Sequence, residues 1–304
     1  MDTFVDIEDG NALAEDAVPI REISRITGVN TVTLRAWERR YGLLIPQRTS
    51  KGHRLYSRAD IDRVKEIQLW LGRGLAISKV KALLADEQGE EGIRDIESIW
   101  MQLAQQMQMA INAFNRNQLE RLIEDTFALY PVPMIADYLL EPLMVALQGD
   151  EPGKLVRRAF FSAVFLEYIQ AAKNRQRQSA QGEKILLLSV AQNECSVLSQ
   201  VLHFGLLVNQ HQAESLGYLT AKESLLGVEA LGAQMIVLIG DDSVNSNELQ
   251  LHLNLWRDRS DVSVVLAGSV VRLVRALTPD LSPNVVVCEN QQQVLATIHQ
   301  LLTR

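Results

Sequence analysis

Thr31, Thr33, Arg35, Arg39 and Tyr41 crowd into one short stretch of the chain, and Arg48, Lys51, His53, Arg54 and Tyr56 into the next. Side chains of these types suit one chemistry above others. Guanidinium groups fork onto phosphate oxygens or a guanine edge, lysine adds a mobile charge, and hydroxyls donate single hydrogen bonds. The set therefore fits a polyanion. His53, set among cations in a turn-forming stretch, reads as a phosphate or turn residue and not as a metal ligand. The parts needed to break bonds are missing: no nucleophile stands beside a sequence-evident base, no glycine-rich phosphate loop follows a first strand, and His and Cys show no metal spacing. His203 and His211 read as surface or internally satisfied residues. Neither an enzyme nor a catalytic or metal site is expected.

Charge is distributed to match. The 304 residues carry −7 overall, a balance that would argue against nucleic acid if it were evenly spread. Residues 18–85, however, hold 14 Lys and Arg against 5 Asp and Glu, whereas residues 1–17 hold six acids and no base. A basic module on an acidic body is the electrostatic footprint of a nucleic-acid reader. With 47% apolar and 22% charged residues the chain can bury sizeable cores, and its length exceeds what one core usually fills, so two or three units are expected. Residues 1–17 read as a disordered acidic tail. Cys195 and Cys288 form no paired motif, no apolar run approaches a membrane span, and the start lacks the basic and apolar regions of a signal peptide. A cytoplasmic protein with no membrane partner is expected.

The cationic set needs a scaffold, and local sequence supplies one. Ile20, Ile23 and Ile26 share a helical face, Gly28 supplies a turn, and Asn30 or Thr31 can cap a second helix carrying Val32, Leu34, Ala36 and Trp37. Two short helices joined by a glycine turn form a helix-turn-helix, with Leu34 and Trp37 turned to its core. Pro46 then stiffens a loop, Ser50-Lys51-Gly52 favours a hairpin tip, and Ser57 to Asp60 resembles a capping box opening a helix through Ile61, Val64, Ile67, Gln68 and Leu71. A short helix from Ile77 to Leu84 closes this unit, residues 18–85.

Two further units follow. Residues 93–178 carry apolar side chains at three- and four-residue steps, interrupted at Asn115–Asn117 and Pro131–Pro133, which implies a four-helix bundle. Residues 183–304 alternate short apolar runs, at 184–190, 215–219, 235–239, 262–267 and 284–287, with helical stretches. Such alternation implies a five-stranded parallel sheet of the flavodoxin-like, doubly wound kind. Ligands on such sheets sit beyond the carboxyl ends of the strands, so loops 191–195, 220–223, 240–245 and 267–270 are the ones to watch. The fold class is thus multidomain α and α/β.

Residues 33–67 resemble the MerR family of transcription regulators. The resemblance lies in Thr33-x-Arg35-x-Trp37-Glu38-Arg39, the Gly42-Leu43-Leu44 exit, Pro46-x-Arg48, Gly52-x-Arg54-x-Tyr56 and Asp60-Ile61-x-Arg63-Val64. It implies a winged helix-turn-helix in which Thr31, Thr33 and Arg35 approach base edges or nearby phosphates. Arg39, Tyr41, Arg48, Lys51, His53, Arg54 and Tyr56 would grip the DNA backbone. It further implies a homodimer on double-stranded promoter DNA, distortion of the promoter spacer, and activation through RNA polymerase. The string from Trp37 to Leu55 is similar to MlrA-type members, which implies control of biofilm matrix.

The order of the units resembles the light-sensing, cobalamin-binding MerR regulators. In those, a histidine after the first sheet strand ligates cobalt; here that position is Cys195, and residues 149–160 lack the Trp and the Glu-His pair of the bundle. No cofactor is expected, and Cys195 marks a degenerate site. The alternative is a ligand-responsive regulator whose last domain takes cobalamin or a cyclic dinucleotide. Arg157, Arg158, Arg272 and Arg275 would then hold phosphates, or they are solvated helix faces.

Overall fold

A computed structural model describes residues 17–85, 98–190, 196–240, 244–257, 259, 261–268, 270–271, 274 and 282–302. The acidic start, Cys195, Arg272 and Arg275 lie outside the described residues, so the expectations placed on them stand as they were.

The head begins with β1 (Val18–Pro19), α1 (Ile20–Thr27) and α2 (Thr31–Ala36), and α2 runs on as a π-helical turn (Trp37–Tyr41). The Asn30 side chain caps α2 by accepting from the Val32 N–H at 3.0 Å. Strands β2 (Gln47–Arg48) and β3 (Arg54–Tyr56) form the wing hairpin, and β1 adds to its far side through Val18 against Tyr56. The expected capping box opens α3 (Arg58–Gly72): Ser57 Oγ accepts from the Asp60 N–H at 3.2 Å, and Asp60 accepts from the Ser57 N–H at 2.8 Å. Helix α4 (Ile77–Ala85) follows. Gln68 of α3 donates to the Thr27 carbonyl at 3.0 Å, tying α3 to the end of α1.

The bundle consists of α5 (Ile99–Asn112), α6 (Arg116–Leu129), a bent third member and α9 (Lys154–Arg177). The third member runs from α7 (Val132–Met134) through a π-helical stretch (Ile135–Leu140) into α8 (Glu141–Ala146). Its apolar stripe meets the head without a break. Trp37, fully buried, donates Nε1–H to the Leu129 carbonyl at 2.8 Å, and Trp100 donates to the Leu71 carbonyl at 2.8 Å. The Ile99 N–H donates to the Gly74 carbonyl at 2.9 Å. Gly74 has φ +90°, and a Cβ there would lie 2.5 Å from Ser98 Oγ, so glycine permits both the backbone angle and the approach of α5. One hydrophobic core therefore contains Ile23, Leu34, Trp37, Val64 and Leu71 of the head together with Trp100, Ile123, Phe127 and Phe165 of the bundle.

The last unit has β4 (Lys184–Ser189), α10 (Val197–Val208), β5 (Gln212–Tyr218), α11 (Ala221–Leu231), β6 (Met235–Gly240), α12 (Ser246–Arg257), β7 (Ser263–Gly268), β8 (Val285–Cys288) and α13 (Gln291–Leu302). The sheet is parallel in the order β5-β4-β6-β7-β8, as the flavodoxin-like reading requires. Alternate residues along the central strands separate onto two faces. Leu186, Leu188, Ile236 and Leu238 pack with α11 and α12, while Ile185, Leu187, Met235 and Val237 pack with α10 and α13. Strand β5 starts three residues before its apolar run because Gln212 and Glu214 pair with β4 through the backbone, which periodicity does not register.

Helix α10 lies between two partners. Leu202, Leu206 and Leu207 face the sheet, whereas Val197, Val201, Phe204 and Val208 belong to the head-and-bundle core. Phe204 stands 6.0 Å from Phe127, ring to ring. A second tie is polar. Asp137 of the bundle accepts from the Gln291 and Gln292 N–H groups at 2.8 and 3.1 Å, capping α13 with a carboxylate where the helix dipole favours one. Burial pushes the Asp137 carboxyl upward, against these hydrogen bonds.

His203 is buried, and His211 is half-buried beside Glu183. His203 is 3% exposed and its Nε2 faces the Ala213 carbonyl at 2.9 Å, while Nδ1 has no partner. Burial pushes its pKa down to about 4, and burial also lowers His211 and His252. The folded chain therefore refuses a proton that the unfolded chain accepts below its ordinary 6.5. This stability is complete above pH 6.5 and is lost as pH falls towards 4. Urea unfolding at pH 7 and pH 5 should show His203 contributing a loss of about 2 kcal/mol, most of it absent in His203→Gln. Equal pH dependence in both proteins would contradict this.

Candidate nucleic-acid interface

Helix α2 has a sharp division between inside and outside. Thr33, Leu34 and Trp37 are fully buried, whereas Val32, Arg35, Arg39 and Arg40 are exposed. The wing tip presents Lys51, Gly52 and His53 to solvent, with Arg48 exposed at the start of the hairpin. Between these surfaces lies a cleft of about 270 Å³ lined by Arg21, Arg35, His53 and Arg54 with Pro19, Ile20 and Gly52. Helix and wing thus bring Arg35, His53 and Arg54 to one cleft.

Glu38 holds the two pieces together. Its carboxylate accepts from Arg54 Nε at 2.5 Å and Nη2 at 3.1 Å, and from Arg48 Nη2 at 3.1 Å. Arg48 also donates to the Gly52 carbonyl at 3.4 Å, stiffening the hairpin. Burial alone would raise the Glu38 carboxyl, but the hydrogen bonds and charges of Arg54 and Arg48 outweigh it and hold it below the usual carboxylate range. The Glu38 and Arg54 side chains are only 15% and 14% exposed, so this pair is screened far less than an ordinary surface bridge.

These placements divide the expected contact residues by exposure. Thr33 is packed inside the head, and its hydroxyl has no hydrogen-bond partner. Tyr56 is likewise fully buried, with burial pushing its phenol up to about 12, and it anchors β3 instead of meeting solvent. Arg54 is committed to Glu38, which makes it a wing-positioning residue. Thr31 and Tyr41 are half-buried at the rim, and Arg35, Arg39, Arg48, Lys51 and His53 remain outward. Val32, read from the sequence with the apolar residues of α2, is 53% exposed. Glu38 was missed; an acid inside the densest cationic stretch was the available signal.

The other end of the molecule was the place for a ligand. Gly240 and Gly268 end adjacent strands, and a Cβ on Gly240 would lie 2.6 Å from Val244 Cγ2, 2.8 Å from Val190 Cγ2 and 3.0 Å from the Val270 Cβ. A Cβ on Gly268 would lie 2.5 Å from the Gly240 carbonyl oxygen. The described residues at these strand ends pack closely on one another, and glycine permits that approach. On the bundle, Arg157 is half-buried, its Nε enclosed without a partner, and Arg158 is exposed. Among the described residues no group of three or more His, Cys, Asp or Glu could hold a metal, and no helix is long and apolar enough to cross a membrane.

Residues 18–87 match the family model for MerR HTH family regulatory proteins. The chain is 34% identical over 171 residues to the HTH-type transcriptional regulator MlrA of Salmonella typhimurium, an alignment covering 56% of this chain and 67% of that protein. The chain belongs to the MerR family. Its MlrA-like character extends to Escherichia coli MlrA, 37% identical over 150 residues, with 49% of this chain and 60% of that protein aligned. This MerR protein therefore matches less than two thirds of the E. coli relative's length. Among solved structures, a cobalamin-binding protein from Desulfitobacterium hafniense overlays with a TM-score of 0.35 at 13% identity, covering 65% of this chain and 97% of that one. So loose a likeness carries no argument, and the sheet order rests on the strand pairings above.

The Glu38 clamp makes a measurable claim. Glu38→Gln should lower unfolding stability by about 2 kcal/mol, because charge-assisted hydrogen bonds in a poorly exposed pocket are lost. Arg48→Ala, with its side chain 52% exposed, should cost well under that. Denaturant titration of both variants checks the ordering, and equal losses would contradict a clamp centred on Arg54.

Proposed function

We propose that this chain is a DNA-binding transcription regulator that reads promoter DNA with α2 in the major groove and the wing on the adjacent backbone. The observation that carries the reading is the cleft between α2 and the wing lined by Arg21, Arg35, His53 and Arg54, with Arg39 and Lys51 exposed on the same two elements. Arg48 adds a backbone contact beside the wing, and Thr31 and Tyr41 contribute at the rim. Residues 18–85 do the reading, and the bundle and α/β unit, residues 93–178 and 183–304, assemble it. Membership of the MerR family supports a homodimer on a pseudo-palindrome, which distorts the spacer and activates through RNA polymerase. Elastic distortion of that kind costs on the order of 1 to 6 kcal/mol, offset by phosphate contacts on both arms. The likeness to MlrA supports a role in matrix control within the cytoplasm. An enzymatic role has no support.

Selection from a random duplex library with the full chain should yield one sequence class bound well above scrambled DNA. On that duplex Arg35→Ala should weaken binding at least tenfold. Lys51→Ala should weaken all duplexes alike and lower the slope of log affinity against log salt by about 1. Failure to enrich any sequence, or unchanged binding by both variants, would overturn the reading.

A further inference from the structure

Exposed valines are common on protein surfaces, so the exposure of Val32 means little by itself. Its position means more. Over Thr31–Ala36 an α-helix turns about 100° per residue, which sets Arg35 and Ala36 within about 60° of Val32 and Leu34 on the opposite side. The structure follows this division: Val32 is 53% exposed and Arg35 and Arg39 are exposed, whereas Thr33, Leu34 and Trp37 are fully buried. Among the described residues from Thr31 to Tyr41, Val32 is the exposed apolar one, one helical turn from the exposed Arg35. The Asn30 cap fixes it in the first turn, at the end of a reading helix that meets base edges.

An apolar side chain there finds one apolar feature in a major groove. The edges of guanine, cytosine and adenine present only hydrogen-bonding groups, whereas thymine adds a C5-methyl that projects into the groove. Val32 has no donor to offer a phosphate, and its branched methyls are short and stiff, which suits contact with a fixed methyl. We propose that Val32 reads the 5-methyl group of a thymine in each half-site. This rests on the DNA-reading function proposed above and specifies a base that the arginines of the same face do not select.

The test uses the duplex selected by the wild-type full chain, with each thymine in turn replaced by deoxyuridine, which removes only the methyl. Wild-type protein should lose about fourfold in affinity at one thymine per half-site, the worth of burying one methyl group. Val32→Ala should be indifferent to the same replacement while unfolding at the wild-type temperature and retaining its binding to scrambled DNA. If the wild type binds the selected duplex but Val32→Ala shows the same deoxyuridine profile, the assignment of Val32 is overturned and the DNA-reading function stands. If no duplex is preferred over scrambled DNA, the function itself fails and the assignment with it.

Discussion

Trp37 belongs to the reading helix by sequence and to the bundle by packing. Its ring is fully buried, and its indole N–H is satisfied by the Leu129 carbonyl, the last residue of α6. A buried donor left without an acceptor costs about 1 to 3 kcal/mol, so α2 and α6 hold each other in register. Trp100 makes the reciprocal tie from the bundle to the end of α3. The two indoles, with Gly74 allowing α5 to approach, make the head and bundle one core. The outward placement of Val32, Arg35 and Arg39 follows from that constraint, because the opposite side of α2 is occupied.

The same core continues into α10, whose two faces serve the bundle and the sheet. This explains why α10 is apolar nearly all round, and why His203 and Gln200 are buried there with polar partners: His203 against the Ala213 carbonyl, Gln200 against the Lys173 ammonium. Asp137 at the start of α13 adds a directional contact that apolar packing lacks. Val190, Val244 and Val270 meanwhile pack around Gly240 at the end of β6. The α/β unit is thus joined to the head through continuous packing.

Periodicity and turn chemistry in the sequence captured the helices, the wing, the capping box and the flavodoxin-like sheet order, because each is governed by neighbours within a few residues. The exposure of most of the cationic stretch was equally legible. What escaped were properties set by tertiary contacts. Thr33 and Tyr56 carry hydroxyls suited to DNA, yet their backbone positions turn them into the core. Arg54 looks like its neighbours in sequence and is distinguished only by Glu38, sixteen residues away. Val32 resembles a core residue until α6 is placed against the other face of α2.

Native-state hydrogen exchange under rising denaturant tests the shared core most directly. Amides of α3 at Val64 and Ile67 and of α6 at Ile123 and Phe127 lie on opposite sides of the tryptophan contacts. A shared core requires them to converge on one opening free energy with one denaturant slope. Head amides that open at distinctly lower free energy while the bundle stays protected would contradict it.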